Sequence, residues 1–255
     1  MVLDNGIIRK SHWPVPMHQL GLVYPGTRAK TARAVLAEMT AVFDRLNVVH
    51  CIADGTLLGF VRQGSFINGD NDIDIRFDRK CLTDRLIAAF QQAGFALTHR
   101  HWTNGQPTNM SLHKDGIALD MLGIDILPEH CIYHMAKYPR CVLTYRVPFS
   151  GVTRRDFDGL TLSVPQHPER DLVACYGPDW RQPTAHWHHH FSHQALFQCT
   201  GRLRDLLSCA FNLEEGQRCL NGGDYRTQPW TVPELARVAR AMASVRPVTA
   251  KTRPL

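Results

Sequence analysis

The chain has 255 residues, 44% of them hydrophobic and 20% charged, with a formal net charge of +6. That length holds one large domain with an ample core, and the composition excludes a disordered or low-complexity chain. The basic residues are scattered, so the positive balance suits an anionic small molecule, a nucleotide or an acidic membrane surface and outlines no nucleic-acid groove.

Residues 1–26 carry Trp13, Pro14, Val15 and Pro16 and then Tyr24, Pro25 and Gly26, and are expected as an irregular lead-in. Ala32, Val35, Leu36, Met39, Val42, Phe43 and Leu46 recur every three or four residues, which predicts a helix over 27–46 with Thr27 as cap and Asn47 as stop. The apolar run 48–53 is a buried strand, and a short amphipathic segment covers 57–62. Between them stand Gly55 and Thr56. A glycine followed by a small hydroxyl residue at a strand-to-helix turn lets backbone N–H groups approach an anion.

Next comes Asp70, Asn71, Asp72, Ile73, Asp74, Ile75. In an extended strand Asp72 and Asp74 project to one face and Ile73 and Ile75 to the other, and Asp70 joins the acids if the strand starts that early. Carboxylates so placed repel one another, and a buried one without a partner is costly. A divalent cation removes the conflict: Mg²⁺, or Mn²⁺ in its place, takes oxygen ligands and bridges substrate phosphates. The competing reading is an edge strand whose aspartates face water.

Asp78 is expected to cap a helix over 81–93 that Gly94 ends, and 95–101 returns as a strand. Residues 110–122 read as a hairpin turning at Lys114, Asp115 and Gly116. Asp120 interrupts its apolar second strand, and a carboxylate there needs a partner. Residues 130–165 alternate as strands, with a turn at Asp158 and Gly159, and Pro168 and Gly177 bracket a helix over 169–176. His186 and His190, and again His189 and His193, lie four apart, a spacing that shares a metal on a helix or else lines a loop leading into a cap. A helix is expected over 195–213 with Leu196, Cys199, Leu203, Leu206, Leu207 and Ala210 inward, and Thr231 with Glu234 makes a capping box for a last helix ending near 244.

Eight cysteines occur without a CxxC pair, and read as reduced core thiols. With no apolar leader and no window near the roughly 18 apolar residues of a membrane span, a cytoplasmic location is expected. Arg246, Lys251 and Arg253 in the tail could touch an anionic membrane peripherally.

The order of strand, Gly-Thr, short helix and acid-x-acid strand resembles the nucleotidyltransferase superfamily. More narrowly, residues 55–75, GTLLGFVRQGSFINGDNDIDI, resemble the signature of the LicD and fukutin-related family. Residues 55–59, Val61, Arg62, Gly64, Phe66, Ile67, Asp70 and 72–75 match it, while Phe60, Gln63, Asn68, Gly69 and Asn71 depart from it.

The resemblance implies an α/β fold: a nucleotidyltransferase-like mixed β-sheet with flanking helices and a helical C-terminal part. It divides the chain into a lead-in over 1–26, a LicD-like domain over 27–183 and a helical extension over 184–255 packing on that domain. It also implies metal-dependent transfer of a phosphorylated alcohol, such as phosphocholine or ribitol phosphate, from a CDP-activated donor to a hydroxyl of a glycan or lipid-linked glycan. The same shelf would serve nucleotidyl transfer from a nucleoside triphosphate, and a degenerate domain would bind nucleotide or glycan without turnover. Carried onto this chain, the pattern makes Asp70, Asp72, Asp74 and Asp120 the catalytic acids. Asp72, Asp74 and Asp120 are the metal ligands, Asp125 is the rival to Asp120, and Gly55, Thr56 and Arg62 are the substrate contacts. The Arg62 guanidinium would hold phosphate oxygens with two bonds.

Overall fold

In a computed structural model of the protein, the described residues are 2–3, 6–7, 27–67, 70, 72–103, 105–137, 141–183 and 193–200. Short strands β1 (Val2–Leu3) and β2 (Gly6–Ile7) pair with each other. Helix α1 (Thr27–Arg45) forms where its apolar stripe places it, with Ala32, Val35, Leu36, Met39, Val42 and Phe43 buried. Asn47, at φ 53°, turns the chain into β3 (His50–Ile52), and asparagine tolerates that left-handed conformation better than most residues.

Helix α2 (Asp54–Gln63) then returns the chain to β4 (Asp72–Asp78), which lies antiparallel to β3 with Ile52 opposite Ile75. The helix expected from an Asp78 cap starts later than its apolar pattern suggested. Asp78 accepts the Lys80 N–H at 3.0 Å and closes one 3-10 turn, Arg79–Cys81. Thr83 is the residue that caps α3 (Asp84–Gln92), accepting the Leu86 N–H. Two side-chain acceptors five residues apart therefore divide what periodicity alone joined.

Strands β5 (Ala96–Thr103), β6 (Gln106–Lys114) and β7 (Ile117–Ile126) form a meander. Asp115 and Gly116, both at positive φ, make the expected turn between β6 and β7. Strand β7 lies parallel to β4, with Asp74 opposite Asp120. Beyond it come β8 (His130–Lys137), β9 (Cys141–Pro148), a separate hairpin of β10 (Val152–Phe157) and β11 (Leu160–Pro165), helix α4 (Pro168–Tyr176) and β12 (Leu196–Thr200). The main sheet runs β12-β9-β8-β7-β4-β3, with β6 and then β5 branching from β7.

The branch has a cause in the sequence. Residues 117–122 of β7 pair with β6 and residues 124–126 with β8, on the same edge. Between them Gly123 lets the two strands part, because the Thr108 carbonyl lies 2.2 Å from where a Cβ would stand. The Asn109 side chain bridges the gap, accepting the Gly123 N–H at 3.1 Å and donating to the His134 carbonyl at 2.6 Å.

One face of the sheet buries Ile73, Ile75, Phe77, Met110, Leu112, Leu119 and Met121 with α1 and α3, and Phe43 meets Phe90 edge-on at 5.1 Å. Each such side chain contributes about 1.5–3 kcal/mol by leaving water. The other face holds a smaller cluster around Leu122, Ile124, Tyr133, Tyr145 and Cys175. The site lies on this second face.

The helix expected from residue 195 is not what the described part forms. Residues 196–200 are a strand that extends the sheet beyond β9, with Leu196 opposite Tyr145 and Cys199 opposite Leu143. An unpaired sheet edge outweighs a helical apolar pattern that reads equally well at either period over five residues. The rest of that helix, the Thr231–Glu234 box, His186, His189, His190 and the motif departures Asn68, Gly69 and Asn71 lie outside the described residues. Among the described residues, no helix is long and apolar enough to cross a membrane.

Candidate active site

Alternation along β4 sends Asp72, Asp74 and Arg76 to the second face and Ile73, Ile75 and Phe77 to the core. The parallel register sets Asp120 beside Asp74 and Ala118 beside Asp72. The rival acid is placed differently: Asp125 is an odd number of residues from Asp120 on the same strand, so it faces the other way. There it pairs with Arg79 at 2.6 Å. Asp70 precedes the strand, and its Oδ2 comes within 2.8 Å of where a Cβ on Gly55 would stand, with Asp74 Oδ2 at 3.2 Å from the same point. The Asp70 and Asp74 carboxyls thus meet over Gly55, whose missing side chain is the space they use, and Asp72 and Asp120 lie close enough to act on them.

The start of α2 orients them. The Gly55 N–H donates to Asp74 Oδ2 at 3.0 Å, and the buried Thr56 hydroxyl accepts the Asp74 N–H at 2.9 Å. Ser111 Oγ donates to Asp120 Oδ1 at 2.9 Å. Gly55 and Thr56, the expected substrate contacts, thus also orient the carboxylate shelf. Gly59 serves the same helix in another way: the Ser65 carbonyl and Ile67 N–H lie 2.5 and 2.9 Å from its absent Cβ, so the loop folds tightly onto α2. Arg62 is half-buried in the last turn of α2, roughly 10 Å along the axis from Gly55, and makes no ion pair with a described carboxylate.

Burial, followed by repulsion from Asp70, Asp120 and Asp54, holds the Asp72 carboxyl well above the usual range. Asp74 is raised likewise, by burial and then by Asp72, Asp54, Asp70 and Asp120. The shelf carries more negative charge than its hydrogen-bond donors balance.

Two residues further along β4 the balance reverses. Arg76 is fully buried and donates to Asp54 at 2.7 Å and to Asp171 of α4 at 2.6 Å. Burial alone would raise the Asp54 carboxyl; Arg76 and His193 overcome that and hold it below the usual carboxylate range. His193 Nε2 lies 3.4 Å from Asp54 Oδ1 and 3.2 Å from the Tyr133 hydroxyl, and the Arg76 guanidinium stands 5.2 Å over the Tyr133 ring. Asp54, Cys175 and His193 bring ligand atoms within 4.8 Å of one another, a spacing suited to a metal. Arg76 already reaches both Asp54 and Cys175 Sγ, the latter at 3.6 Å, so a guanidinium supplies the positive charge at that point. Asp54 is held at φ 40°, left-handed backbone that costs an aspartate of order 1 kcal/mol and persists only where its surroundings fix it.

The stretch from residue 47 to residue 167 matches the LicD/FKTN/FKRP nucleotidyltransferase domain. That stretch is a LicD-family domain. The chain is also 24% identical over 161 residues to ribitol-5-phosphate transferase FKTN of Homo sapiens and, to the same degree, to that of Mus musculus. The alignments cover 62% of this chain and 35% of each relative, so the chain spans about a third of their length. Among solved structures, ANT(2")-Ia in complex with adenylyl-2"-tobramycin is similar at TM-score 0.42 and 12% identity, over 84% of this chain and 98% of that one. Lincosamide adenylyltransferase LnuA with lincomycin bound is similar at TM-score 0.39 and 18% identity, over 59% and 85% of the two chains.

The LicD match contains every acid of the shelf, together with Gly55, Thr56 and Arg62. It ends before Asp171, Cys175 and His193, so the clamp on Asp54 is completed by residues outside it. The sequence pattern did not reveal that clamp. One signal was available: Arg76 stands between Ile75 and Phe77 on an apolar strand, and a charge there demands buried partners. Asp171 and His193 carry no such mark.

Proposed function

We propose that this protein transfers a phosphorylated alcohol from a CDP-activated donor to a hydroxyl of a glycan or lipid-linked glycan, using Mg²⁺ or Mn²⁺ held by Asp72, Asp74 and Asp120. The observation that carries the reading is the gathering of Asp70, Asp72, Asp74 and Asp120 on one sheet face inside the LicD-family stretch. The residues fit a hard divalent cation: they offer oxygen atoms only, they lie on adjacent strands, and among the described residues none of Asp72, Asp74 and Asp120 has an ion pair with a cationic side chain. When bound, that ion would supply positive charge to offset that of the donor's diphosphate and of the departing CMP.

The chain's own groups do the rest. Gly55 N–H and Ser111 Oγ–H fix the Asp74 and Asp120 carboxylates before any ligand arrives, so little reorganisation remains for the reaction. The acceptor oxygen forms its bond to the phosphorus that bears the alcohol, and the bond from that phosphorus to the CMP oxygen breaks. The hydroxyl proton passes to a carboxylate of the shelf, Asp70 or Asp120. Arg62 contacts donor phosphate from the far end of α2.

Mass spectrometry of products from CDP-ribitol, CDP-choline and CDP-glycerol with Mg²⁺ tests this. CMP release with an acceptor heavier by the phospho-alcohol supports the reading. An acceptor heavier by a nucleotide would show nucleotidyl transfer instead and end it.

A further inference from the structure

Helix α2 opens without a cap of its own. Ala53 stands at its N-cap and makes no side-chain bond, and Asp54 begins it with φ at 40°. Strand β4 supplies what the turn lacks: the Gly55 N–H donates to the Asp74 carboxyl, the Thr56 hydroxyl accepts the Asp74 N–H, and the Ala53 N–H donates to the Asp74 carbonyl at 2.9 Å. All three bonds meet one residue, so by themselves they hold the turn at a single point of the strand. The Asp54 carboxyl adds a second point. It takes Arg76, two residues along the same face and so about 7 Å from Asp74 at the backbone.

That second point is built from parts distant in the sequence. Arg76 is itself held by Asp171 and reaches Cys175 of α4, while His193 approaches Asp54 through Nε2. An ionised carboxylate only accepts, so that nitrogen is the donor. The Gln194 N–H donates to the Cys175 carbonyl at 2.8 Å, and the His193 ring lies 4.9 Å from that of Tyr145 on β9, so His193 is anchored from α4 and from the sheet. Left-handed backbone at an aspartate persists only where neighbours over-determine it, and these are the neighbours. Asp54 itself is ill suited to carry a proton or an ion, because one of its oxygens already takes both Arg76 and His193.

We infer that Asp54 is a positioning residue for the carboxylate shelf: clamped by Arg76 and His193, it fixes the turn that aims the Gly55 N–H at Asp74. Its part in turnover rests on the transferase reading; its hold on Gly55 rests on the bonds alone. The family stretch ends at residue 167, so α4 and His193, beyond it, act on Asp74 through one backbone amide. A shift of that amide lets the Asp74 carboxyl turn, and displacing a reacting group by about 1 Å can cost about a hundredfold in rate.

Amide hydrogen exchange of the full chain, without metal, reads the Gly55 N–H directly. The variant Arg76→Met/Asp54→Ala/Asp171→Asn separates positioning from support, since it removes the charges of the clamp together and leaves neither an acid nor a guanidinium buried alone. It should unfold in urea well after Arg76→Met alone, yet exchange Gly55 about tenfold faster than the wild type, with Leu119 in the middle of β7 unchanged. Its turnover of CDP-activated donors should fall on the order of tenfold to a hundredfold. His193→Phe keeps a ring beside Tyr145, loses the N–H and leaves the Arg76 ion pairs untouched; it should speed Gly55 exchange about threefold. Gly55 protected as in the wild type in either variant, or turnover that returns along with stability in the triple variant, would overturn the inference. A wild type that turns over no CDP-activated donor would instead sink the transferase reading, with the exchange rates still deciding the hold on Gly55.

Discussion

Two regions of one sheet face, only two residues apart along β4, meet the same electrostatic difficulty in opposite ways. At Arg76 two acids are taken out of water with a guanidinium between them; Asp54 ends with its carboxyl held low, while burial leaves that of Asp171 raised in spite of Arg76. At Asp72 and Asp74 the acids are gathered with amide and hydroxyl donors and, among the described residues, without an ion pair to a cationic side chain, and both carboxyls are pushed up. The first region is complete in itself and holds structure. The second gathers acids whose charge the described side chains do not balance.

The largest effect expected from breaking this contrast is at Arg76. Arg76→Met should cost about 3–5 kcal/mol in urea unfolding, because it leaves Asp54 and Asp171 buried without their cation. Adding Asp54→Asn and Asp171→Asn should recover most of that loss. A single variant as stable as the wild type would mean the two regions do not differ as described.

At the shelf the same kind of change should act in the opposite direction. The folded-state carboxyl of Asp72 is raised above its ordinary value of 3.8, so the folded chain holds protons that the unfolded chain has released. The contribution of Asp72 to the stability of the metal-free protein should therefore be fullest below about pH 4 and decline as pH rises toward the raised value, opposite in sign to that of Asp54. Asp72→Asn should flatten that decline and raise the melting temperature near neutral pH, by about 2–4 °C for each kcal/mol regained. It should also lower turnover on the order of a thousandfold, a loss of about 4 kcal/mol in the transition state. A variant that melts lower than the wild type across the whole pH range would contradict this.

Gly55→Ala sharpens the contrast more gently. The added methyl meets the ends of the Asp70 and Asp74 side chains, which can swing aside, so folding should lose only about 1 kcal/mol. Turnover should drop on the order of tenfold to a hundredfold, since the carboxylates move from their fixed positions. Smallest of all is Asp125→Asn, which breaks a half-exposed pair with Arg79. It should change stability by less than about 1 kcal/mol and leave turnover alone. Turnover lost with Asp125 and kept without Asp120 would invert the assignment of the third acid.

Much of this layout was legible in the sequence because it follows from short-range rules. Period two on β4 separated Asp72 and Asp74 from Ile73 and Ile75, and the turn at Asp115 and Gly116 fixed which face of β7 Asp120 would share. Asp120 and Asp125 could not be separated by pattern alone, since both interrupt apolar runs; the parallel register with β4 distinguishes them. What stayed hidden depended on distance along the chain. Asp171 reaches Arg76 across 95 positions and His193 reaches Asp54 across 139, and no local periodicity reports such pairs. The strand over 196–200 was missed for a related reason: five residues carry too little period, and the open edge of β9 decides their form.

Calorimetric titration of CDP into the protein, with Mg²⁺ and then with chelator, comparing the wild type with Asp72→Asn/Asp74→Asn, reaches the central claim most directly. The account predicts binding in the wild type that disappears when the ion is removed, and none in the double variant under either condition. Equal binding by both proteins, or wild-type binding indifferent to the chelator, would contradict it.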